Sequence, residues 1–184
     1  MAKQYPRLPS HLKRFIRAQP LFFVATAGPQ GRINLSPKGL DTLRILDDQR
    51  VLWLNLTGSG NETAAHLRLD PRITLMFCAF EGDPLIVRLY GQGRSYHPHD
   101  DRWVELYSHF EPTPGARQII DVQVDLVQTS CGMGVPLMAY QGQRPQLVEW
   151  ARDKGDAGLR DYWREKNRVS LDGLPTGMDE LLDD

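Results

Sequence analysis

Apolar and polar residues alternate in short segments along most of the chain. A period of two is typical of β-strands with one buried face, and Gly, Pro, Asn and Asp between such segments indicate turns. The turns at 28–31 and 81–84 each connect two alternating segments, so they predict two hairpins. The whole pattern predicts strands at 21–27, 32–36, 43–46, 51–57, 72–80, 85–93 and 118–128.

Other segments have helical features. The predicted helices lie between Ser10 and Pro20, at about 62–69, near 100–110, at 147–153 and at 159–166. Ser10 and Asn61 stand where their side chains would cap the first two helices. The acidic end of the chain, 179–184, is expected to fray.

Antiparallel hairpins with helices inserted between them favour one architecture. Six or seven such strands form a closed or nearly closed barrel, which also removes exposed strand edges. The length of 184 residues favours a single domain over 1–184. Its barrel core spans about 21–128, and a C-terminal loop and helices span 129–184.

Composition narrows the possible partners. Apolar residues make up 41% of the chain, which is enough for a core, and the net charge is −1. Such a chain has no general attraction for nucleic acid or an anionic membrane, so an anion must be held by a local site. The basic segment Met1–Arg17 lacks the apolar core of a signal peptide, and no apolar run approaches a membrane span. We expect a cytoplasmic protein with neither nucleic acid nor a membrane as partner.

The most informative segment is the predicted strand-to-helix turn at 54–63. Two glycines lead into a helix N-terminus, where free N–H groups and the helix dipole favour phosphate. The side chains that add donors are Thr57, Ser59, Asn61 and Thr63. The segment is neither a dinucleotide fingerprint nor a Walker loop. A capped turn without a ligand explains the same residues equally well.

A second polar segment follows the first predicted hairpin. Ser36 and Lys38 leave the end of a strand beside a proline and a glycine. Lys38 would meet a phosphate as a point charge, although a lysine in a solvated turn has the same sequence pattern.

Two further groups carry reactive residue types. Cys131 lies in a glycine-rich segment, 130–136, without a second cysteine nearby, and we interpret this segment as a structural turn rather than a catalytic loop. His97, His99 and Asp100 are metal-ligand types, but Pro98 between the histidines favours a turn, so no metal site is predicted.

The order and spacing of several motifs resemble one family. The hairpin at 22–39 resembles the opening of FMN-binding split-barrel proteins related to pyridoxamine 5′-phosphate oxidase. The similarity continues through 61–67, 70–72 and 90–93. It implies a mostly β fold with inserted helices, a six-stranded antiparallel split β-barrel, and a homodimer with FMN at the subunit interface.

The resemblance also implies site residues. Asn34, Ser36 and Lys38 would contact the flavin ring and ribityl chain. The phosphate would be held at the strand-to-helix turn by Thr57, Ser59, Asn61 and Thr63. The oxidase proper has Ser-Arg-Lys at this turn, where this chain has Asn61-Glu62-Thr63, so Glu62 is expected to point outward.

A C-terminal Arg-x-His motif holds the substrate of the oxidase and is not found near the end of this chain. Pyridoxamine 5′-phosphate is therefore expected to be a poor substrate. We expect an FMN-dependent oxidoreductase that acts on a small molecule. The substrate stays unidentified because no residue stands out as a catalytic acid or base. The alternatives are a non-catalytic protein that stores or senses flavin, and a split barrel that binds the deazaflavin F420 or haem.

Several large aromatic residues are candidates for the subunit contact of the expected dimer. Trp53, Trp103, Tyr107 and Phe110 would serve a subunit contact or the core equally well. Arg88 lies between apolar neighbours of a predicted strand and would face the cofactor or the dimer contact.

Overall fold

Eight β-strands form one antiparallel sheet that curls into a half-barrel. The computed structural model describes residues 2–182, with the backbone alone at position 180. Within these residues the strands are β1 (Lys3–Tyr5), β2 (Phe22–Thr26), β3 (Asn34–Lys38), β4 (Leu43–Ile45), β5 (Arg50–Leu56), β6 (Arg72–Cys78), β7 (Ile86–Tyr96) and β8 (Ala116–Ser130). The helices are α1 (Ser10–Ala18), α2 (Glu62–Leu69), α3 (Trp103–Tyr107), α4 (Gln146–Lys166) and α5 (Asp179–Leu182). In this part of the chain, no helix is long and apolar enough to cross a membrane.

The long strand β8 organises the sheet. It pairs with β7 along most of its length, with β5 through its first half and with β1 near its end. The strand order β3-β2-β6-β7-β8-β5-β4 leaves β3 and β4 at the two edges. Both predicted hairpins, β2–β3 and β6–β7, are present, and the prediction of a mostly β antiparallel split barrel is confirmed.

The concave face of the sheet encloses the main core. Val24, Leu75 and Leu89 are fully buried there, and Leu12 and Ile16 of α1 pack against them. On the opposite face of β5 and β8, a second core is closed by α3. Strand β5 is therefore buried on both faces, which explains the apolar residues on both sides of its sequence.

Strand number and strand limits differ from the six-stranded expectation. The additional strand β1 has three residues and no alternating pattern, and it exists because its backbone pairs with β8. Strand β7 continues to Tyr96, beyond its predicted end at 93, because the pairing with β8 resumes after a bulge. Long-range pairing rather than local pattern sets these limits.

Helix capping is where the sequence predictions fail. Ser10 is the first residue of α1 and makes no capping hydrogen bond; Pro9 is the residue before the helix. Asn61 does precede α2, but its side chain does not cap the helix. The short α3 covers only part of the predicted 100–110, and the two predicted C-terminal helices lie within α4, which is interrupted at Gly155.

The C-terminal end is more ordered than predicted over the residues that the structure describes. Residues 179–182 form α5, and Leu182 packs with Leu159, Trp163 and Met178 in a third apolar cluster. Burial of this leucine overrides the expected fraying. The remainder of the predicted frayed segment, 183–184, lies outside the described residues.

The predicted dimer aromatics belong mainly to the monomer core. Trp53 is 1% exposed and Phe110 is 7% exposed. Trp103 and Tyr107 are half-buried, stack on each other and pack against the core beneath α3. Trp53 and Phe110 are therefore core residues of the single chain, whereas Trp103 and Tyr107 are only partly covered within it.

A bulge between Tyr90 and Gly91 lets β7 bend around the barrel. A Cβ atom at position 91 would lie 2.1 Å from the backbone oxygen of Gln123. Since the obstacle is backbone, neither side can yield easily.

We expect Gly91→Ala to reduce the free energy of unfolding by about 2 kcal/mol or more. Urea denaturation of the purified variant measures this. Gly134→Ala is the matched control, because a Cβ atom there meets no atom within 4 Å. Equal denaturation midpoints for the two variants would contradict the explanation.

Candidate functional site

A row of polar side chains runs along the inner face of the edge strand β3. Asn34, Ser36 and Lys38 alternate with exposed residues and are half-buried. The Ser36 hydroxyl donates to Asn34 Oδ1 at 3.0 Å, and Asn34 Nδ2 donates to Thr63 Oγ1 at 3.2 Å. These hydrogen bonds connect the β3 row to the first turn of α2 and join three of the seven predicted site residues, Asn34, Ser36 and Thr63.

Lys38 lies at the far end of this row. Its Nζ is 4.9 Å from the centre of the Trp53 ring, which is a cation–π distance. Burial, together with the positive charge of Arg117, lowers the pKa of Lys38 to about 8. Among the ion pairs found in residues 2–182, none joins Lys38 to a carboxylate. Lys38 is therefore a cation without a counter-charge in this part of the chain.

The turn before α2 is covered by the C-terminal segment. Thr57 Oγ1 donates to the Gly115 carbonyl at 2.8 Å and accepts from Trp163 Nε1 at 2.9 Å. Asn61 Nδ2 donates to the Asn167 carbonyl at 3.2 Å. Both predicted phosphate ligands are fully buried and bonded within the chain, whereas Ser59 is exposed.

Glu62 begins α2 and also contacts the C-terminal segment. Its Oε1 accepts from the backbone N–H of Leu171 at 3.0 Å. The Glu62 carboxylate is thus hydrogen-bonded to the C-terminal segment and not to the polar row of β3.

Arg117 is the residue of this region that the sequence analysis missed. It is 2% exposed, and its Nη2 donates to the Gly60 carbonyl at 3.1 Å. Its Nη1 donates to Asn167 Oδ1 at 2.6 Å, and its Nε has no partner among the described residues. Burial lowers the pKa of the Arg117 guanidinium. The available signal was a charged residue at the start of a long apolar strand.

Buried amides fill the space beside the turn. Gln118 Oε1 accepts from Asn55 Nδ2 at 2.7 Å, while Gln118 Nε2 donates to Asn61 Oδ1 at 3.1 Å. The same Nε2 lies 3.2 Å from His97 Nε2. Burial lowers the pKa of His97 to about 4, so the imidazole is neutral and can accept this hydrogen bond.

His97, His99 and Asp100 bring three potential metal-ligand atoms within 4.8 Å of one another. Asp100 Oδ2 accepts from the His97 backbone N–H at 2.6 Å, which closes a turn at this point. His97 is also committed to Gln118 in the buried amide network. These contacts agree with a structural turn.

Neither cysteine belongs to the polar row. Cys78 is buried at the end of β6, and burial raises the pKa of its thiol. Cys131 is exposed just after β8, and Gly132 beside it has a φ of 69° against the backbone of Leu85. This close approach is what a structural turn requires.

A cavity of about 1200 Å³ opens beyond the Lys38 end of β3. Its apolar lining includes Phe22, Phe77, Phe80 and Met138, and Gly39 lies where it meets β3. The polar row beside this partly apolar cavity is suited to a polar chain attached to a ring system. The cavity lining also includes the carboxylates of Asp41 and Glu81.

Comparison with known proteins identifies the relatives of this architecture. The sequence profile of the family described as "Pyridoxamine 5'-phosphate oxidase" matches residues 8–131. The chain belongs to the pyridoxamine 5′-phosphate oxidase family. It is 37% identical, over 189 aligned residues, to the family protein ustO of Aspergillus flavus; the match covers 93% of this chain and 76% of ustO.

Solved structures support the family fold. A variant of HupZ from Group A Streptococcus superposes with a TM-score of 0.54 at 18% identity, covering 67% of this chain and 99% of that one. A protein from Lactobacillus delbrueckii, described as a candidate pyridoxamine 5′-phosphate oxidase, superposes with a TM-score of 0.53 at 15% identity, covering 67% and 94%. At these identities the similarity concerns the fold alone.

Family membership gives the polar row a context, because proteins of this family commonly bind a flavin. The structure places Asn34, Ser36 and Lys38 on one face of β3, and Thr63 accepts a hydrogen bond from Asn34. Thr57 and Asn61 lie under the C-terminal segment. The seven-residue assignment remains a prediction.

The environment of Lys38 predicts a pH effect on stability. Its folded-state pKa, about 8, lies below the ordinary value of 10.5, so the charged form opposes folding. This penalty is complete below pH 8 and is lost as the pH rises from 8 toward 10.5.

We therefore expect Lys38→Met to stabilise the ligand-free protein at pH 7, by on the order of 1 kcal/mol because the ammonium group keeps part of its solvent. The difference from the unmodified protein should shrink by pH 10. Urea denaturation at both pH values measures it, with Lys154→Met on exposed α4 as control. If the stability difference between Lys38→Met and the unmodified protein does not depend on pH, burial of the Lys38 charge does not explain it.

Proposed function

We propose that this protein is a flavoprotein that binds FMN between two copies of the chain and uses it in an oxidoreductase reaction. The observation that carries the proposal is the polar row of β3, which runs from Thr63 on α2 to the unpaired cation of Lys38. Hydroxyl and amide groups in such a row match a ribityl chain, and the positive charge at its end favours an anionic cofactor. The cavity beyond Lys38 has room for an apolar ring.

The residues present fit FMN. Arg117 has an orphaned, buried Nε–H beside the turn before α2, which is what a site built for an anionic group leaves when its ligand is absent. Haem stays an alternative, because it needs an axial ligand and the buried Nε2 of His66 has no partner among the described residues. The other ring nitrogen of His66 lies 3.1 Å from Thr26 Oγ1, and His97 Nε2 contacts Gln118.

When bound, FMN would supply the electron transfer. The chain would bind and orient it and exclude water from one side. Asn34 and Ser36 would hold the ribityl chain, and Lys38, which is mostly charged at pH 7, would meet negative charge. Lys38 is the titratable group in this row, with a pKa of about 8, and the substrate stays unidentified.

The outer face of the sheet supports the dimer. Cross-strand neighbours there are half-exposed and largely apolar: Phe23 lies beside Met76, and Ala25 lies beside Leu35, which is 62% exposed. Helices α1 and α2 pack on the other side of β2, where Leu12 shares a core with Val24, and His66 Nδ1 lies 3.1 Å from Thr26 Oγ1. A two-fold contact between two copies would bury this face and create two equivalent grooves.

The cofactor prediction is tested by spectroscopy. Protein supplied with FMN should show a flavin absorbance spectrum, and heating should release FMN rather than FAD. Thr63→Ala and Lys38→Ala should weaken FMN binding more than riboflavin binding, by about 1–3 kcal/mol, because riboflavin has no phosphate.

Thr113→Ala, in the loop between α3 and β8, is the control for these variants. If FMN does not bind in a titration, the proposal is wrong. Equal losses for both ligands would show that Thr63 and Lys38 do not contact the phosphate. Flavin binding with negligible NAD(P)H oxidation under air would favour the storage or sensing alternative.

The dimer is tested by light scattering. We expect twice the chain mass of 21.0 kDa, and FMN should favour this state on dilution because it binds across the contact. Met76→Lys should produce monomers by placing a charge in the apolar face. Val104→Lys, at an exposed apolar residue of α3, should not. A monomer that retains FMN at micromolar concentration would contradict the interfacial site.

A further inference from the structure

Arg117 is an unusual charge for a protein interior. Almost no arginine is fully buried without a carboxylate, because desolvation of an unpaired charge is costly. Arg117 is 2% exposed, and no ion pair within residues 2–182 includes it. Its two hydrogen-bond acceptors, Asn167 Oδ1 and the Gly60 carbonyl, are neutral. The guanidinium thus keeps its full charge.

A second cation makes this charge still more costly. Arg117 is near enough to Lys38 for its charge to lower the lysine pKa. Two like charges in a partly desolvated region repel each other, and each would be relieved by the same anion. An anion near Arg117 would reduce this repulsion.

The position of the guanidinium identifies where this anion would lie. The Gly60 carbonyl that it contacts precedes Asn61 and the start of α2. The first N–H groups of an α-helix have no partner within the helix and carry partial positive charge. Arg117 adds to them a fixed charge and the unpartnered Nε–H.

Asn167 fixes this arrangement from the C-terminal segment. It is fully buried, accepts from Arg117 Nη1 at 2.6 Å and donates from Nδ2 to the Gly58 carbonyl at 3.1 Å. Its own carbonyl accepts from Thr176 Oγ1 at 2.6 Å. An amide orients the guanidinium without neutralising it, whereas a carboxylate in the same place would form an internal ion pair.

We infer that Arg117 supplies the main charge for a phosphate group at the start of α2, and that Asn167 is the positioning residue that keeps this charge available. The phosphate is that of the flavin, so this part of the inference rests on the proposed function. The binding of a free phosphate anion does not depend on it.

Asn167→Asp provides the sharpest test, because it changes one side-chain group into a carboxylate next to Arg117. We expect the affinity for FMN to fall about 10- to 100-fold, as when a charge-assisted hydrogen bond is lost. The affinity for riboflavin should change less than about twofold. Calorimetric titration measures both, and circular dichroism confirms that the variant is folded.

Inorganic phosphate tests the anion site without a flavin. It should raise the melting temperature of the flavin-free protein, and this rise should be absent in Asn167→Asp. Gln146→Glu is the matched control, since it adds one negative charge at an exposed position of the same C-terminal region. It should leave both phosphate and FMN binding unchanged.

Arg117→Met is the second variant, in case Asn167→Asp does not fold. It removes the charge and should abolish the preference for FMN over riboflavin. If both folded variants keep that preference and the phosphate effect, the inference is wrong while flavin binding stands. If phosphate stabilises the protein through Arg117 but no flavin binds, the anion site stands and the proposed function is wrong.

Discussion

Arg117 brings a positive charge to a buried position beside the turn before α2, and the side chain and carbonyl that its two Nη atoms contact are neutral. A buried guanidinium is tolerated only when its donors have fixed partners. Two of these partners are Gly60, before α2, and Asn167, 50 residues further along the chain than Arg117. The charge therefore links β8, the strand-to-helix turn and the C-terminal segment into one unit.

The same requirement explains the residues around this unit. Thr57 accepts from Trp163, whose ring belongs to the apolar cluster that also buries Leu182. Packing of the C-terminal helices therefore positions the polar contacts of the turn, since the aromatic ring is held by apolar neighbours and its N–H by Thr57. Displacement of this segment would expose Asn61 and Arg117 together rather than one at a time.

Local sequence pattern was sufficient for the elements that depend on local interactions. The limits of α2, 62–69, were predicted because a turn with two glycines precedes a helical segment that ends before Pro71. The hairpins around 28–31 and 81–84 were predicted for the same reason. In contrast, β1 follows no pattern and exists only through its pairing with β8, more than 100 residues away along the chain.

Local sequence pattern also predicts the candidate site only in part. That Asn34, Ser36 and Lys38 share one face follows from the period of two in a strand. The pattern of a half-buried strand would bury Leu35 instead, which is 62% exposed, so the inward direction of the polar residues was not predicted. The partners of Thr57 and Asn61 lie 106 residues away, so no local pattern indicates that both side chains are occupied. Arg117 was missed because its role depends on having no carboxylate partner among the described residues. Only the folded chain shows which groups surround it.

The charged residues at the turn before α2 differ from those of the oxidase. The oxidase proper has an arginine and a lysine at the start of this helix, whereas this chain has Glu62 and Thr63. Glu62 would oppose an anion, but its Oε1 is engaged by the backbone of Leu171. Arg117 places a guanidinium at the same turn from the neighbouring strand. In this chain the positive charge near the start of α2 therefore comes from β8, whereas in the oxidase it comes from the helix itself. Only folding brings this charge to the turn.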